Sequence, residues 1–517
     1  MFCVRRIQLF AVLLCGIVAI DVSLLRALAQ APQAAKAARA LANLQEQHRT
    51  AHHLFAGALE RIAQTCEERK LNVIATQIRR MAQPADPDML RFEPLPRAVQ
   101  PPIAVDLPDD EREWRTQLRD HRKEYAKQLD LLAQQAVKAK LPSYAFQLIR
   151  ETALHDPDHT RARRLLGYVL YKGEWVSPFE KSKLEKKEVW TAKYGWLPAA
   201  HVERYQRGER YYRNAWLSAE EEAKRRQDFS KAWEIRTEHY LLKTNHSLER
   251  GVELATALEE FHRFFQQTFA ALFNKPQELQ TLFANLAVVQ RTVSDPFKVY
   301  FFSSRDEYIL KLKVKYPGTI LAISNGVYDT DDGIVYSFEN PGTPAETTMY
   351  HEATHQLLAA QLKPSPLIAG RANFWLIEGF ACYIESFQRQ NERLTLGDPK
   401  FLRFAIAREQ FLKDGYYLPL NQFTQLGKDA YQAHPRVQNN YSQAAGIVHF
   451  FMHYDGGRYR DDLIEHVKQI YQQAERGGPV TTLEELTGTD FKELDQQYAE
   501  FTTSLSRALQ EPFAPQP

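Results

Sequence analysis

Two histidines four residues apart, in the run His351-Glu352-Ala353-Thr354-His355, constrain what this chain of 517 residues can fold into more than any other feature. On a helix such residues lie one turn above one another, so both imidazoles can face one ion. Two imidazoles, one carboxylate and a water fill a catalytic zinc site and leave the water replaceable. Glu352 adjoins His351 and cannot easily share its coordination. It can instead accept a proton from a water made acidic by the metal and deliver it to a leaving nitrogen. Taken alone, the spacing also fits two histidines and a surface acid on an ordinary helix face.

A third donor is available downstream. Trp375-Leu376-Ile377-Glu378-Gly379-Phe380-Ala381-Cys382-Tyr383-Ile384-Glu385 begins a second amphipathic helix, with Glu378 in its first turn, twenty-three residues beyond His355. From a neighbouring antiparallel helix its carboxylate could complete the set. Glu385 follows seven residues later on nearly the same face and is placed to bond a ligand histidine from behind.

The pair of segments resembles the gluzincin zinc peptidases, the broad group containing thermolysin and the aminopeptidase N family. The resemblance implies that His351, His355 and Glu378 bind one Zn2+ per chain and that Glu352 is the general base. More closely, residues 230 to 500 are similar to a family of exported bacterial proteins known as domain of unknown function 1570, which joins such a domain to variable N-terminal regions. The Gly-x-Met-Glu-Asn segment with which aminopeptidase N-like enzymes hold a substrate amine is missing. Gly326-Val327-Tyr328-Asp329 occupies the nearest position, on an expected sheet edge, which points away from exopeptidase action. That edge could pair with an extended peptide backbone.

In the resembled enzymes a tyrosine or histidine from the following helical region stabilises the developing oxyanion. Tyr441, opening the helical segment Ser442 to Phe451, is the candidate here, with a packing or capping role as its alternative. His449 and His453 are also four apart, but Phe450 and Phe451 between them mark a core helix. Glu346 reads as an acid at the start of the histidine helix. Lys363 to Arg371, with Pro364 and Pro366, reads as a loop beside the site.

The first residues have the pattern of an export signal: Arg5 and Arg6, an apolar run from Ile7 to Ile20, then Ala27-Leu28-Ala29 before Gln30. Asp21 and Arg26 bound the apolar run at about 14 residues, short of the roughly 20 that span a bilayer. A periplasmic or extracellular location follows, with no membrane span in the mature chain; an uncleaved anchor is the alternative. Cys3 and Cys15 fall in the signal, leaving Cys66 and Cys382 either to pair in an oxidising compartment or to serve as buried thiols. The 66 Lys and Arg nearly cancel the 64 Asp and Glu, so charge gives no warrant for a nucleic-acid partner.

At this length more than one domain is expected. After a signal at 1–29, residues 30–160 read as a helical region. It has one helix from Lys36 to Met81, a proline-rich irregular arm at 82–108 and a repeat-type hairpin turning near Asp156 to His159. Residues 161–230 carry an internal similarity, Tyr171 to Val176 echoed by Tyr194 to Leu197 and by Tyr212 to Leu217, which predicts small strands joined by turns. A charged spacer helix from Glu220 to Lys231 follows. Residues 231–505 predict an α+β domain, and 506–517 a tail. In that domain strands at Glu238–Thr244, Val299–Phe302, Ile320–Tyr328 and Ile334–Phe338 are expected in a mixed sheet that includes a meander, followed by a helical lobe.

The expected function is zinc-dependent hydrolysis of peptide bonds by an endopeptidase acting on a peptide or protein substrate. The N-terminal region would position the enzyme or bind a protein partner. The same residues leave room for a catalytically silent peptide-binding module on this fold, or for a zinc amide hydrolase acting on cell-wall material.

Overall fold

The computed structural model describes residues 22–510 apart from residues 85, 87, 286–294, 341, 343, 365–367, 391, 392 and 477–479. Most of the expected export signal, with Cys3 and Cys15, and the end of the expected tail lie outside the described residues. No helix among those described is long and apolar enough to cross a membrane.

The expected helix over residues 36–81 is two helices, α1 (Val22–Glu68) and α2 (Asn72–Met81). The break has a local cause. Lys70 adopts a left-handed conformation at φ 62°, and the Leu71 N–H closes on the Cys66 carbonyl at 2.8 Å, a helix stop made without glycine. After strand β1 (Leu90–Phe92), the same device recurs at Lys140. There φ is 63° and Leu141 N–H meets Ala136 O at 2.9 Å, separating α3 (Asp109–Lys138) from α4 (Pro142–His155). The two helical hairpins therefore turn at 69–71 and 139–141, not at 156–159, where only the six-residue α5 (Thr160–Leu165) follows. Leu41, Leu44, Phe55, Leu59 and Ile62 of α1 bury against α3 and α4 in one apolar core, as their spacing requires. Ala270, Leu279 and Phe283 join that core from beyond residue 231.

The internal similarity becomes three two-stranded hairpins. They are β2 (Val169–Tyr171) with β3 (Glu174–Val176), then α6 (Pro178–Glu185); β4 (Glu188–Thr191) with β5 (Gly195–Pro198), then α7 (Val202–Gln206); and β6 (Glu209–Tyr212) with β7 (Ala215–Ser218), then α8 (Ala219–Arg226). The Lys172-Gly173 and Arg213-Asn214 turns have positive φ at both residues, the twist two-residue hairpins need. Ser177 with Glu180, and Ser218 with Glu221, form reciprocal caps that start α6 and α8. Helix α8 is not a wholly solvated spacer: Glu222 is buried between Arg210 and Arg226.

The α+β part holds a five-stranded mixed sheet in the order β11-β12-β10-β9-β8. Its first strands are β8 (Trp233–Arg236) and β9 (Tyr240–Thr244). Three helices, α9 (Leu248–Thr268), α10 (Ala270–Phe273) and α11 (Pro276–Asn285), precede β10 (Phe297–Phe302). Helices α12 (Arg305–Leu312) and α13 (Gly318–Ile323) then lead to β11 (Gly326–Asp329) and β12 (Ile334–Phe338). The sheet is mixed, as expected, but the expected meander is incorrect, because β10 pairs parallel with both β9 and β12. Parallel neighbours need a crossover, and the long connection through α9 supplies it. The expected strand from Ile320 is helix α13 up to Ile323; so short an apolar run does not distinguish the two states.

Two long helices follow the sheet, α14 (Ala345–Leu362) and α15 (Phe374–Ile384). The hairpin of β13 (Gln388–Gln390) and β14 (Arg393–Leu396) comes next, and β1, from the proline-rich arm, adds antiparallel to β14. The chain ends in a helical lobe, α16 (Leu402–Leu412), α17 (Leu420–Phe423), α18 (Lys428–Gln432), α19 (Val437–Gly457), α20 (Arg460–Arg476), α21 (Leu483–Thr487) and α22 (Phe491–Gln510). Helix α19 breaks at Tyr454–Gly456. Gly379 fixes how α15 crosses it: a Cβ there would stand 2.9 Å from Ala444 Cβ and 3.0 Å from Ala444 O, so only glycine admits so close an approach. Cys66 and Cys382 are free and buried in different cores.

Candidate metal centre

Helix α14 starts against the edge strand β11. Gly326 makes this possible, since a Cβ would lie 2.7 Å from Thr348 Cγ2 and 3.2 Å from the Tyr336 carbonyl. Arg250 of α9 anchors the same end, donating to Glu346 at 2.7 Å and to Glu339 at 2.9 Å, so Glu346 is the helix-start acid its position implies. The consequence lies one turn on: the Tyr328 backbone N–H donates to Glu352 Oε2 at 2.7 Å. Burial, opposed by the His351 charge, raises the Glu352 carboxyl above its ordinary range.

His351 and His355 share a face of α14, with their Nε2 atoms 3.2 Å apart. Glu378 comes from α15, its Oε2 3.7 Å from His351 Nε2, and one donor atom from each of the three residues falls within 4.8 Å of the others. Four-coordinate zinc with ligand bonds of about 2.0–2.1 Å sets its donors about 3.3 Å apart along each tetrahedral edge. The His351–His355 and His351–Glu378 separations lie within half an ångström of that edge, so the donor set fits such an ion.

Protonation supports the same fit. Burial opposes charge on His351, but contacts with Cys382 and Glu385 outweigh it and hold that imidazole well above the usual histidine range. Burial and the His351 charge push His355 down to about 3, leaving it a bare donor. The two Nε2 atoms stand at hydrogen-bond distance, and a cation bound by both would take the place of that contact. Burial raises the Glu378 carboxyl, and the His351 charge opposes the rise.

Behind the donors, His351 Nδ1 donates to Glu385 Oε1 at 2.8 Å, which aims Nε2 at the other two donors. Arg403 of α16 holds Glu385 in turn, with Nη2 2.9 Å from Oε1 and Nε on Oε2. Burial opposes ionisation of Glu385, but His351 and Arg403 outweigh it and keep the carboxyl below its usual range. Glu385→Ala is expected to weaken metal binding about 10–100-fold, read by competition with a chromogenic chelator; an unchanged affinity would remove Glu385 from this role.

Tyr441, on α19, lies near enough to Glu378 to feel its charge. Burial and the Glu378 charge raise its phenol further above neutral pH. Its ring meets the fully buried Tyr431 edge-on, with centroids 5.5 Å apart. The histidines suspected as a core pair are that: His449 Nε2 bonds the Gly397 carbonyl and His453 Nε2 the Tyr383 hydroxyl, each at 2.9 Å. Residues 365–367 of the neighbouring loop lie outside the described residues.

Sequence reasoning missed three contributors. Cys382 was within reach, because Glu378, Cys382 and Glu385 form one i, i+4, i+7 stripe. Arg403 and the Tyr328 N–H had no local signal, since each depends on how distant elements meet. No family model, no curated protein and no solved structure matches this chain.

Proposed function

We propose that this protein is an exported zinc endopeptidase of the gluzincin type. The observation that carries the reading is the approach of His351, His355 and Glu378 to spacings that suit one tetrahedral ion, with Glu352 beside them. A zinc ion held there supplies Lewis acidity, which polarises a peptide carbonyl and makes water acidic near neutral pH.

The chain's own groups do the rest. Glu352 takes a proton from the attacking water and passes it to the leaving amide nitrogen, so the C–N bond breaks as an amine departs. The Tyr328 N–H fixes one Glu352 oxygen, which leaves the other to exchange that proton. Tyr441 donates toward the charge that develops on the carbonyl oxygen. Strand β11, at the sheet edge beside Glu352, supports an extended peptide as substrate, since an edge strand can align a backbone by hydrogen bonds. A binding module that only holds a metal has no need of an acid in the position of Glu352.

The test is cleavage of a mixed peptide library by the full chain. Internal cleavage is expected, lost on chelation and restored by Zn2+. Cleavage that persists after metal removal would exclude the reading. A chain that loads zinc yet cleaves no peptide, with or without peptidoglycan fragments present, would favour a silent binding module.

A further inference from the structure

A second group of ligating side chains comes together well away from Glu352. Glu259 and His262 lie three residues apart on α9, so they share a face, and His239 immediately precedes β9. One donor atom from each of the three falls within 4.8 Å of the others. His239 Nδ1 stands 2.5 Å from Glu259 Oε1, while the His239 backbone N–H holds Oε2 at 2.9 Å. The imidazoles of His239 and His262 are stacked, with centroids 3.8 Å apart and planes at 22°, so one ring must turn out of the stack before a nitrogen from each can face one ion.

Both rings line a cavity of about 420 Å3 bounded also by Arg236, Arg263, Gln266 and Gln361. Gln361 lies ten residues beyond His351 on α14, about 15 Å along a helix that rises 1.5 Å per residue. The cavity therefore sits toward the far end of that helix from the first group of donors.

We propose that His239, Glu259 and His262 form a second metal site, for a divalent ion of the zinc class, with a fourth position open to this cavity. Two imidazoles and one carboxylate suit Zn2+, Co2+ or Ni2+; Mg2+ and Ca2+ demand more oxygen donors. The ion replaces the hydrogen bond between His239 Nδ1 and Glu259 Oε1, and that separation opens from 2.5 Å to about 3.3 Å. Oε2 keeps its backbone bond meanwhile. The bound ion ties the start of β9 to the middle of α9, the helix that carries the parallel crossover of the sheet.

The experiment counts bound metal in the full chain and follows Co2+ titration by its visible absorption. Wild type is expected to hold two ions per chain, His262→Gln one, and His351→Ala one that raises the melting temperature when added. Where His262→Gln fails to fold, His239→Gln carries the same comparison. A wild-type count of one that falls to zero in His262→Gln supports this site and removes the first. A count that His262→Gln and His239→Gln leave unchanged, or a His351→Ala chain that takes up no ion, overturns the proposal.

Discussion

Glu352→Gln is expected to lower kcat/KM for peptide cleavage by about 10²–10⁴-fold while leaving the metal content unchanged. Glutamine keeps the shape of the side chain, and its carbonyl oxygen can still accept the Tyr328 N–H that holds Glu352 Oε2 at 2.7 Å. What it cannot do is take a proton from water. The variant therefore separates loss of the base from loss of the site, provided metal is counted on the same preparation. Equal cleavage by both proteins would eliminate the assigned mechanism. A parallel fall in metal content would mean instead that Glu352 acts by holding the ion.

Glu378→Ala is expected to weaken binding of the ion beside His351 by more than the about 100-fold that loss of a supporting side chain costs. It removes the one donor that α15 contributes and leaves only the two imidazoles of α14. His355→Ala should act alike, whereas Glu385→Ala should fall short of both because it acts through His351. Chelator competition ranks the three variants. An order in which Glu385→Ala is the most damaging would shift the centre toward His351, Cys382 and Glu385, which also gather donor atoms within 4.8 Å.

The helix bearing His351 and His355 was legible because a four-residue spacing has one structural meaning, and the helix bearing Glu378 because its apolar face is continuous. The three aromatic hairpins were legible for a similar reason: each repeats an aromatic–turn–tryptophan unit over a few residues. What failed was what depends on partners far along the chain. Whether β10 runs parallel to its neighbours is decided by the route of α9, and no residue within the strand records it. The proline-rich arm contributes β1 to a sheet with β14, although little in Leu90–Phe92 signals a strand. The helix stops at Lys70 and Lys140 use lysine in a left-handed conformation, so the glycine that usually marks such a stop is missing. Arg403 escaped notice because its partner Glu385 lies across an intervening hairpin.

The most direct measurement is anomalous diffraction on either side of the zinc absorption edge, from crystals of the zinc-supplied full chain. The expected result is a peak about 2.0–2.1 Å from His351 Nε2, His355 Nε2 and a Glu378 oxygen. A map with no anomalous density among these three side chains, in a chain that is folded and saturated with zinc, would contradict the account.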